Sequence, residues 1–133
     1  MIHMLHLQTK ERDEMIEITH LVYNLLKQEG LEEGIAVIYC PHTTAGITIQ
    51  ENADPDVKHD VLMRLSEVYP WQHPKYKHAE GNTASHLKAM TVGSSQTVLI
   101  AGSRLVLGRW QGIYFCEFDG PRERTCMVKF MRG

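Results

Sequence analysis

The last third of the chain limits the fold most strongly. From Thr97 onward, apolar segments of strand length follow one another, each ended by glycine or another turn-forming residue. The segments are Thr97–Ala101, Arg104–Leu107, Gln111–Phe118 and Thr125–Met131, with turns at 102–103, 108 and 119–121. This end of the chain therefore predicts four consecutive strands, without a helix between them.

The first two thirds mix strands with helices. Strands are predicted at Ile2–Gln8 and Arg12–Ile18, as an opening hairpin, at Ile35–Cys40, buried on both faces and stopped by Pro41, and at Ile47–Gln50. Helices are predicted from a Thr19 cap to Gly30, after the start signal Asp54-Pro55-Asp56, and from an Asn82 cap over Thr83–Met90. Val57, Val61, Leu65 and Val68 should form the buried stripe of the second helix. The order β2-α-β2-α2-β4 predicts an α+β fold.

Length and charge indicate an ordinary globular protein. The 133 residues suit one domain, 1–133, and 14 Lys and Arg nearly balance 16 Asp and Glu, which gives no electrostatic reason to expect nucleic acid or membrane as a partner. The apolar runs are too short to span a bilayer and no basic-then-apolar leader is present, so we expect a cytoplasmic protein. Cys40, Cys116 and Cys126 show no CxxC spacing and are interpreted as buried small hydrophobic residues.

The segment Pro41–Gly46 is the first candidate site, because it follows the end of a predicted buried strand. His42 stands beside the hydroxyls of Thr43 and Thr44 and could be a metal ligand or an acid or base, since neutral imidazole offers a lone pair. An equally weighted alternative is a turn in which the two threonines satisfy local backbone groups.

The segment from His78 to His86 is the second candidate. A helix starting near Asn82 would offer free N–H groups to an anion. Eight residues of straight helix rise about 12 Å, so His78 and His86 can share a metal only if the chain bends at Gly81. The alternative is a solvated histidine pair around an ordinary helix cap.

The third candidate lies at the ends of the late strands. Arg122 and Arg124 could receive phosphate, and Trp110 could form a pocket wall. The alternatives are that 119–121 is only a turn and that Trp110 belongs to the core or a subunit interface. Glu51 and Asp60 add carboxylates of open role.

Five motifs in order carry a resemblance to a known family: Pro41–Gly46, Glu51-Asn52, His78–Asn82 with His86, Gly108-x-Trp110-Gln111, and Cys116–Arg122. Together they resemble the YjbQ-like family, often called secondary thiamine-phosphate synthase enzymes, over essentially the whole chain. The resemblance implies a compact α+β fold with an extensive, sandwich-like β-sheet, a homotrimer with sites near subunit boundaries, and a divalent metal, zinc before magnesium, at His42, His78 and His86. Two departures are Arg109, in place of the family's usual threonine, and Ser103, in place of a usual glycine.

The resemblance also implies a reaction. A metal-dependent transferase of this kind joins a hydroxymethylpyrimidine diphosphate to a thiazole phosphate and releases diphosphate. The expected substrate-binding residues are Thr43, Thr44, Asn82, Trp110, Gln111, Arg122 and Arg124, and the expected catalytic carboxylates are Glu80, Glu51 and Asp60. Three histidines suit zinc better than magnesium, which is more usual in diphosphate-releasing enzymes.

Two other functions fit the same residues. One is a zinc-dependent hydrolase of a small phosphorylated substrate, with Glu80 or Glu51 as base. The other is a non-catalytic trimer that binds a metal or ligand. Surplus polar groups around the histidines favour catalysis over a closed structural metal site.

Overall fold

A computed structural model describes residues 1–133 and contains the eight strands and three helices in the predicted order. The strands are β1 (Ile2–Gln8), β2 (Glu14–Glu17), β3 (Gly34–Tyr39), β4 (Ala45–Glu51), β5 (Ser95–Ala101), β6 (Arg104–Leu105), β7 (Gln111–Glu117) and β8 (Glu123–Arg132). The helices are α1 (Thr19–Glu29), α2 (Pro55–Val68) and α3 (Thr83–Val92). The α+β prediction is confirmed.

The strands form two antiparallel sheets, ordered β1-β8-β3-β5-β6 and β2-β7-β4. The predicted hairpin of β1 and β2 is wrong, because β1 pairs with β8 and β2 pairs with β7. The segment 9–13 carries the chain from one sheet to the other. The backbone N–H of Thr9 anchors this crossing to the carbonyl of Arg122 at 3.0 Å.

Alternation along β7 separates two cores, since successive side chains of a strand point to opposite faces. Ile113 and Phe115 join the core that both sheets share, which also includes Val22 and Leu26 of α1. Side chains from the opposite face pack with α2 and α3: Met15, Tyr114, Cys116, Phe118, Ala89, Val61, Leu62, Leu65 and Val92. The molecule is therefore layered as five-stranded sheet, three-stranded sheet and a helical layer of α2 and α3.

Two predicted helix ends are confirmed. Gly30 ends α1 in the left-handed conformation, with φ of 67°, and donates its N–H to the carbonyl of Leu26. The side chain of Asp54 caps α2 by accepting from the N–H of Asp56 at 2.9 Å. Both ends use backbone geometry that the residue type favours.

Two other predicted caps are wrong. Ile18 is the N-cap of α1, and the Thr19 hydroxyl accepts instead from the N–H of Ile113 at 2.8 Å. Asn82 occupies the N-cap position of α3 but makes no capping bond, because its amide donates to Asp119 at 2.8 Å. In each case a partner far away in sequence competes with the local bond.

Burial is lower than predicted at two places. In β3, Ala36 and Ile38 face the core, whereas Tyr39 is 43% exposed, so this strand is not buried on both faces. No residue of α2 is fully buried, and Val68 is 55% exposed. The outer face of the five-stranded sheet has no layer over it within the chain, which explains the exposure of β3.

The three cysteines are buried and free, as predicted. None of the helices combines the length and the apolar character needed to cross a membrane.

Candidate functional site

A polar pocket lies where β4 begins and β7 ends, next to the paired residues Ala45 and Glu117. It has a volume of about 400 Å³ and, apart from Pro41, only polar or charged residues line it. The lining residues are Pro41, His42, Thr43, Thr44, His78, Glu80, Asn82, His86, Asp119, Arg122 and Arg124. We call it the histidine–arginine pocket.

The three predicted histidines all line this pocket. The chain bends at Gly81, whose φ is 76°, and this bend brings His78 close to His86. Their ring centroids lie 5.3 Å apart in an edge-to-face arrangement. The required bend at Gly81 is therefore present, and two distant segments supply the histidines of a single pocket.

The backbone of Thr125 holds the ring of His42. Nε2 of His42 lies 3.0 Å from the Thr125 nitrogen and 3.2 Å from its carbonyl oxygen, and the tautomer decides whether Nε2 accepts or donates. Burial and the nearby positive charge of Arg124 lower the pKa of His42. The imidazole is therefore neutral near pH 7, and in the tautomer whose Nε2 donates to the Thr125 carbonyl, Nδ1 offers its lone pair to a ligand.

The donor types in this pocket suit zinc, because neutral imidazole is a common zinc ligand. Their placement does not form a ligand set, since no group of three or more histidine, cysteine, aspartate or glutamate side chains is arranged to hold a metal ion. His78 Nε2 lies 4.0 Å from Glu80 Oε1, and both side chains are substantially exposed. The histidines thus meet in one pocket, but rotation of their side chains is needed before they can share an ion.

A buried ion pair that the sequence analysis did not assign lies beside the pocket. Glu117 is 0% exposed and Arg124 is 4% exposed. Nε of Arg124 donates to Glu117 Oε1 at 2.8 Å, and Nη2 donates to Glu117 Oε2 and, at 2.8 Å, to the Thr44 hydroxyl. Burial alone would raise the pKa of Glu117, but donors from Arg124, Asp119 N–H and the Thr9 hydroxyl outweigh it and lower the pKa. This network fixes Arg124 before any ligand binds.

The two arginines differ in what they can offer. Arg124 uses Nε and Nη2 within the protein, so Nη1 is the group left for an anion. The side chain of Arg122 is half exposed, and it donates through Nε to the main-chain carbonyl of Asp119 at 2.8 Å and through Nη2 to the Asp119 carboxylate at 3.1 Å. Thr44 is committed to Arg124 and to the N–H of Phe118. Thr43 is exposed and has no such commitment.

Asp119 connects both sides of the pocket. Its Oδ2 accepts from Nδ2 of Asn82 at 2.8 Å and from Arg122 at 3.1 Å. The bond fixes the orientation of the Asn82 amide, whose Oδ1 is then buried without a partner. Asn82 lines the pocket, but this unpaired oxygen is itself buried and is not exposed to the cavity.

Four predicted site residues lie elsewhere in the chain. Glu51 pairs with Gln111 at the opposite end of β4 and β7. Six residues of β7 separate Gln111 from Glu117, so this end lies roughly 20 Å from the pocket. Trp110 is 54% exposed at that end, with Arg109 stacked on its ring at 4.8 Å. Asp60 lies on α2 and contacts His59. Within one chain, these residues are outside the histidine–arginine pocket.

Sequence reasoning missed Glu117, Asp119 and Thr9. One signal was present for Glu117, because a carboxylate inside an apolar strand must find a charged or hydrogen-bonding partner when it is buried. No local signal marks Thr9, whose hydroxyl donates to Glu117 across 108 positions of sequence at 2.8 Å.

The sequence matches the family model described as UPF0047 protein YjbQ-like over residues 3–133. The UPF0047 protein YugU of Bacillus subtilis is 61% identical over 98% of this chain and 99% of its own length. A UPF0047 protein of Methanocaldococcus jannaschii is 48% identical over 94% of this chain and 90% of its own length.

Solved structures resemble the fold closely. An uncharacterised protein of the same family from Clostridium acetobutylicum is 51% identical and superimposes with a TM-score of 0.95, over 97% of this chain and 99% of that one. A protein of unknown function from Sulfolobus solfataricus, 28% identical, also gives a TM-score of 0.95, over 100% of this chain and 97% of that one. The chain therefore belongs to the UPF0047 YjbQ-like family.

Proposed function

We propose that this protein is a metal-dependent enzyme that acts on a small phosphorylated substrate in the histidine–arginine pocket. The observation that carries the proposal is the composition of the pocket, where three histidines and two arginines line one polar cavity. Such convergence of imidazole and guanidinium groups is typical of sites that combine a cation with an oxyanion.

Charge balance supports the need for a cation. Arg124 is paired with Glu117 and Arg122 with Asp119, so the charges of the protein largely cancel around the pocket. A phosphate group placed there would also lie near Glu80. An added divalent cation would offset these carboxylates.

Zinc is the proposed ion, with magnesium as the alternative, and His42, His78 and His86 are its proposed ligands. When bound, such an ion supplies positive charge to the departing phosphate group. Arg122 and Nη1 of Arg124 would hold phosphate oxygens, and the first N–H groups of α3, after Asn82, point the positive end of the helix dipole at the same pocket.

The proposed reaction is the transfer implied by the family resemblance. The carbon–oxygen bond between a pyrimidine methylene group and diphosphate breaks, diphosphate leaves with the electron pair, and the nitrogen of a thiazole phosphate forms the new bond to carbon. The arginines stabilise the negative charge that develops on the leaving group. No proton has to be removed for this bond exchange, so none of the three candidate carboxylates is required as a base.

Hydrolysis of a phosphorylated substrate is the second candidate, favoured by the open polar character of the pocket. Glu80 is 75% exposed at the side chain and lines the pocket, so water reaches it. The oxygen of water would form a bond to phosphorus while the bond from phosphorus to the substrate oxygen breaks, and Glu80 would accept the proton of the water and pass it to the departing oxygen. Glu51 lies at the opposite end of β4 and is not placed for this role.

One assay tests both candidates. The full chain would be incubated with hydroxymethylpyrimidine diphosphate, with and without thiazole phosphate, while diphosphate and inorganic phosphate are measured. Diphosphate release that requires the acceptor supports transfer, and release without it supports hydrolysis. Arg122→Ala and His42→Ala should lose most activity, whereas His20→Ala, an exposed histidine on α1, should not. A metal-loaded protein without turnover would contradict this enzymatic proposal and favour the non-catalytic alternative.

We also propose that the protein is a homotrimer. Support comes from the outer face of the five-stranded sheet, where Leu99, Ile35 and Met131 lie side by side on adjacent strands. Leu99 is 60% exposed and Met131 is 48% exposed. A contiguous exposed apolar face of this kind is typical of an interface.

Light scattering measures the number of chains in the assembly, and the wild type should give three. Leu99→Glu should dissociate the trimer, whereas Val68→Glu on α2 should not. A monomeric wild type would contradict the proposal.

A further inference from the structure

A second pocket adjoins the histidine–arginine pocket and is built by the long loop 69–81. It also has a volume of about 400 Å³. Its lining residues are Trp71, Gln72, His73, Tyr76, His78, Glu80 and Gly81. His78 and Glu80 line both cavities, so the two are direct neighbours. We call the second cavity the aromatic pocket.

The aromatic side chains of this pocket are held in place. The guanidinium of Arg12 lies over the ring of Trp71 at 4.0 Å from its centroid, and Arg12 is not among the lining residues. One face of the indole is therefore covered by Arg12, and Trp71 still lines the aromatic pocket. The Tyr76 hydroxyl donates to the carbonyl of Pro70 at 2.9 Å, and its ring lies 5.2 Å from that of His73.

The two pockets offer complementary surfaces. The histidine–arginine pocket has polar walls suited to phosphate. The aromatic pocket offers flat ring surfaces together with the polar groups of Gln72 and Glu80. Flat rings that carry hydrogen-bonding atoms match such walls, since stacking uses the ring face and leaves the ring edge for hydrogen bonds.

We propose that the aromatic pocket binds a planar nitrogen heteroaromatic ring, carried by the same substrate whose phosphate group occupies the histidine–arginine pocket. Trp71 and Tyr76 are the ring-binding residues. The inference rests on the proposed function for the phosphate end of the substrate. It assigns the ring to Trp71, at the histidine end of the molecule, and not to Trp110, which lies at the far end of β7.

The two tryptophans of the chain permit a direct test. In a Trp110→Phe variant, Trp71 is the sole tryptophan, and its fluorescence reports on stacking. The probes are pyridin-3-ylmethyl phosphate and methyl phosphate, which differ in the ring, and calorimetry on the full chain measures both affinities. The pyridyl probe should quench Trp71 and bind about tenfold more tightly than methyl phosphate.

Variants then assign the ring preference. Trp71→Ala should abolish the tighter binding of the pyridyl probe and leave the affinity for methyl phosphate unchanged. Trp71→Phe should keep most of the tighter binding of the pyridyl probe. The matched control is Trp110→Ala, which should keep all of it. Equal affinities for the two probes, with unchanged Trp71 fluorescence, would overturn the ring site and leave the phosphate proposal standing. If the pyridyl probe quenches Trp71 but methyl phosphate does not bind, the ring site would stand and the phosphate site would be overturned, and with it the proposal that one substrate occupies both pockets. If neither probe binds, the ring site and the phosphate site would both be overturned.

Discussion

Glu117 and Arg124 form a two-point ion pair at the ends of β7 and β8, and both side chains are withdrawn from water. Removing one member leaves the other charge buried without compensation. We therefore expect Glu117→Gln to lower the free energy of unfolding by about 3 kcal/mol. Glu123→Gln, an exposed glutamate at the start of β8, should change it by less than about 0.5 kcal/mol. Chemical denaturation measures both, and equal stabilities of the two variants would contradict the role of the pair.

The same carboxylate predicts an acid-sensitive stability. The pKa of Glu117 in the folded protein lies below its ordinary value of 4.5, because its hydrogen-bond donors outweigh burial. The stabilisation is therefore fully present above pH 4.5 and is lost as the pH falls through the lowered pKa. The difference in unfolding free energy between wild type and Glu117→Gln should be constant above that pH and shrink below it. A difference that stays constant down to the acid unfolding of the wild type would refute this assignment.

The metal proposal predicts a specific loss of zinc. The purified wild type should contain about one zinc ion per chain, and the double variant His42→Ala, His86→Ala should contain almost none. A second double variant, His20→Ala, His59→Ala, removes two exposed histidines outside the pocket and should retain the ion. Elemental analysis decides between these outcomes, and a wild type free of any divalent metal would contradict the proposal.

Asp119 is predicted to act through its neighbours. Its carboxylate accepts from Nη2 of Arg122 and from Asn82, while Nε of Arg122 donates to the main-chain carbonyl of Asp119, a bond that Asp119→Asn keeps. We expect phosphate binding to strengthen by about fivefold, because the variant loses the carboxylate that cancels the charge of Arg122, and two unit charges about 4 Å apart in water interact by about 1 kcal/mol. Calorimetry with inorganic phosphate measures the change, and Asp56→Asn on α2 is the control. Unchanged binding in Asp119→Asn would remove Asp119 from the site.

Local sequence signals predicted the elements well. Conformational preferences of single residues determine three confirmed features: the helix start at Asp54-Pro55-Asp56, the helix end at Gly30 and the turns between the late strands. The caps of Thr19 and Asn82 failed because Ile113 and Asp119, far away in sequence, provide stronger partners. The pairing of β1 with β8 is likewise a contact between distant parts of the chain, so no turn residue in the sequence predicts it.

The residues predicted for the candidate site also fall into two groups, those inside the pocket and those that strand register places elsewhere. The family resemblance implied that His42, His78 and His86 converge, the spacing with a bend at Gly81 only permitted it, and the pocket contains all three. Glu51, Trp110 and Gln111 were grouped with them by motif, but the register of β4 and β7 places those residues at the other end of the strands. Register depends on the packing of both faces of a sheet, which a motif does not describe.

Diphosphate binding tests the central claim most directly. Titration of inorganic diphosphate into the metal-loaded full chain should show one site per chain, weakened about tenfold or more in Arg122→Ala. Arg64→Ala on α2, an exposed arginine paired with Glu67, should bind as the wild type does. If the wild type binds no diphosphate, or if Arg122→Ala and Arg64→Ala bind it equally well, the histidine–arginine pocket is not the phosphate site.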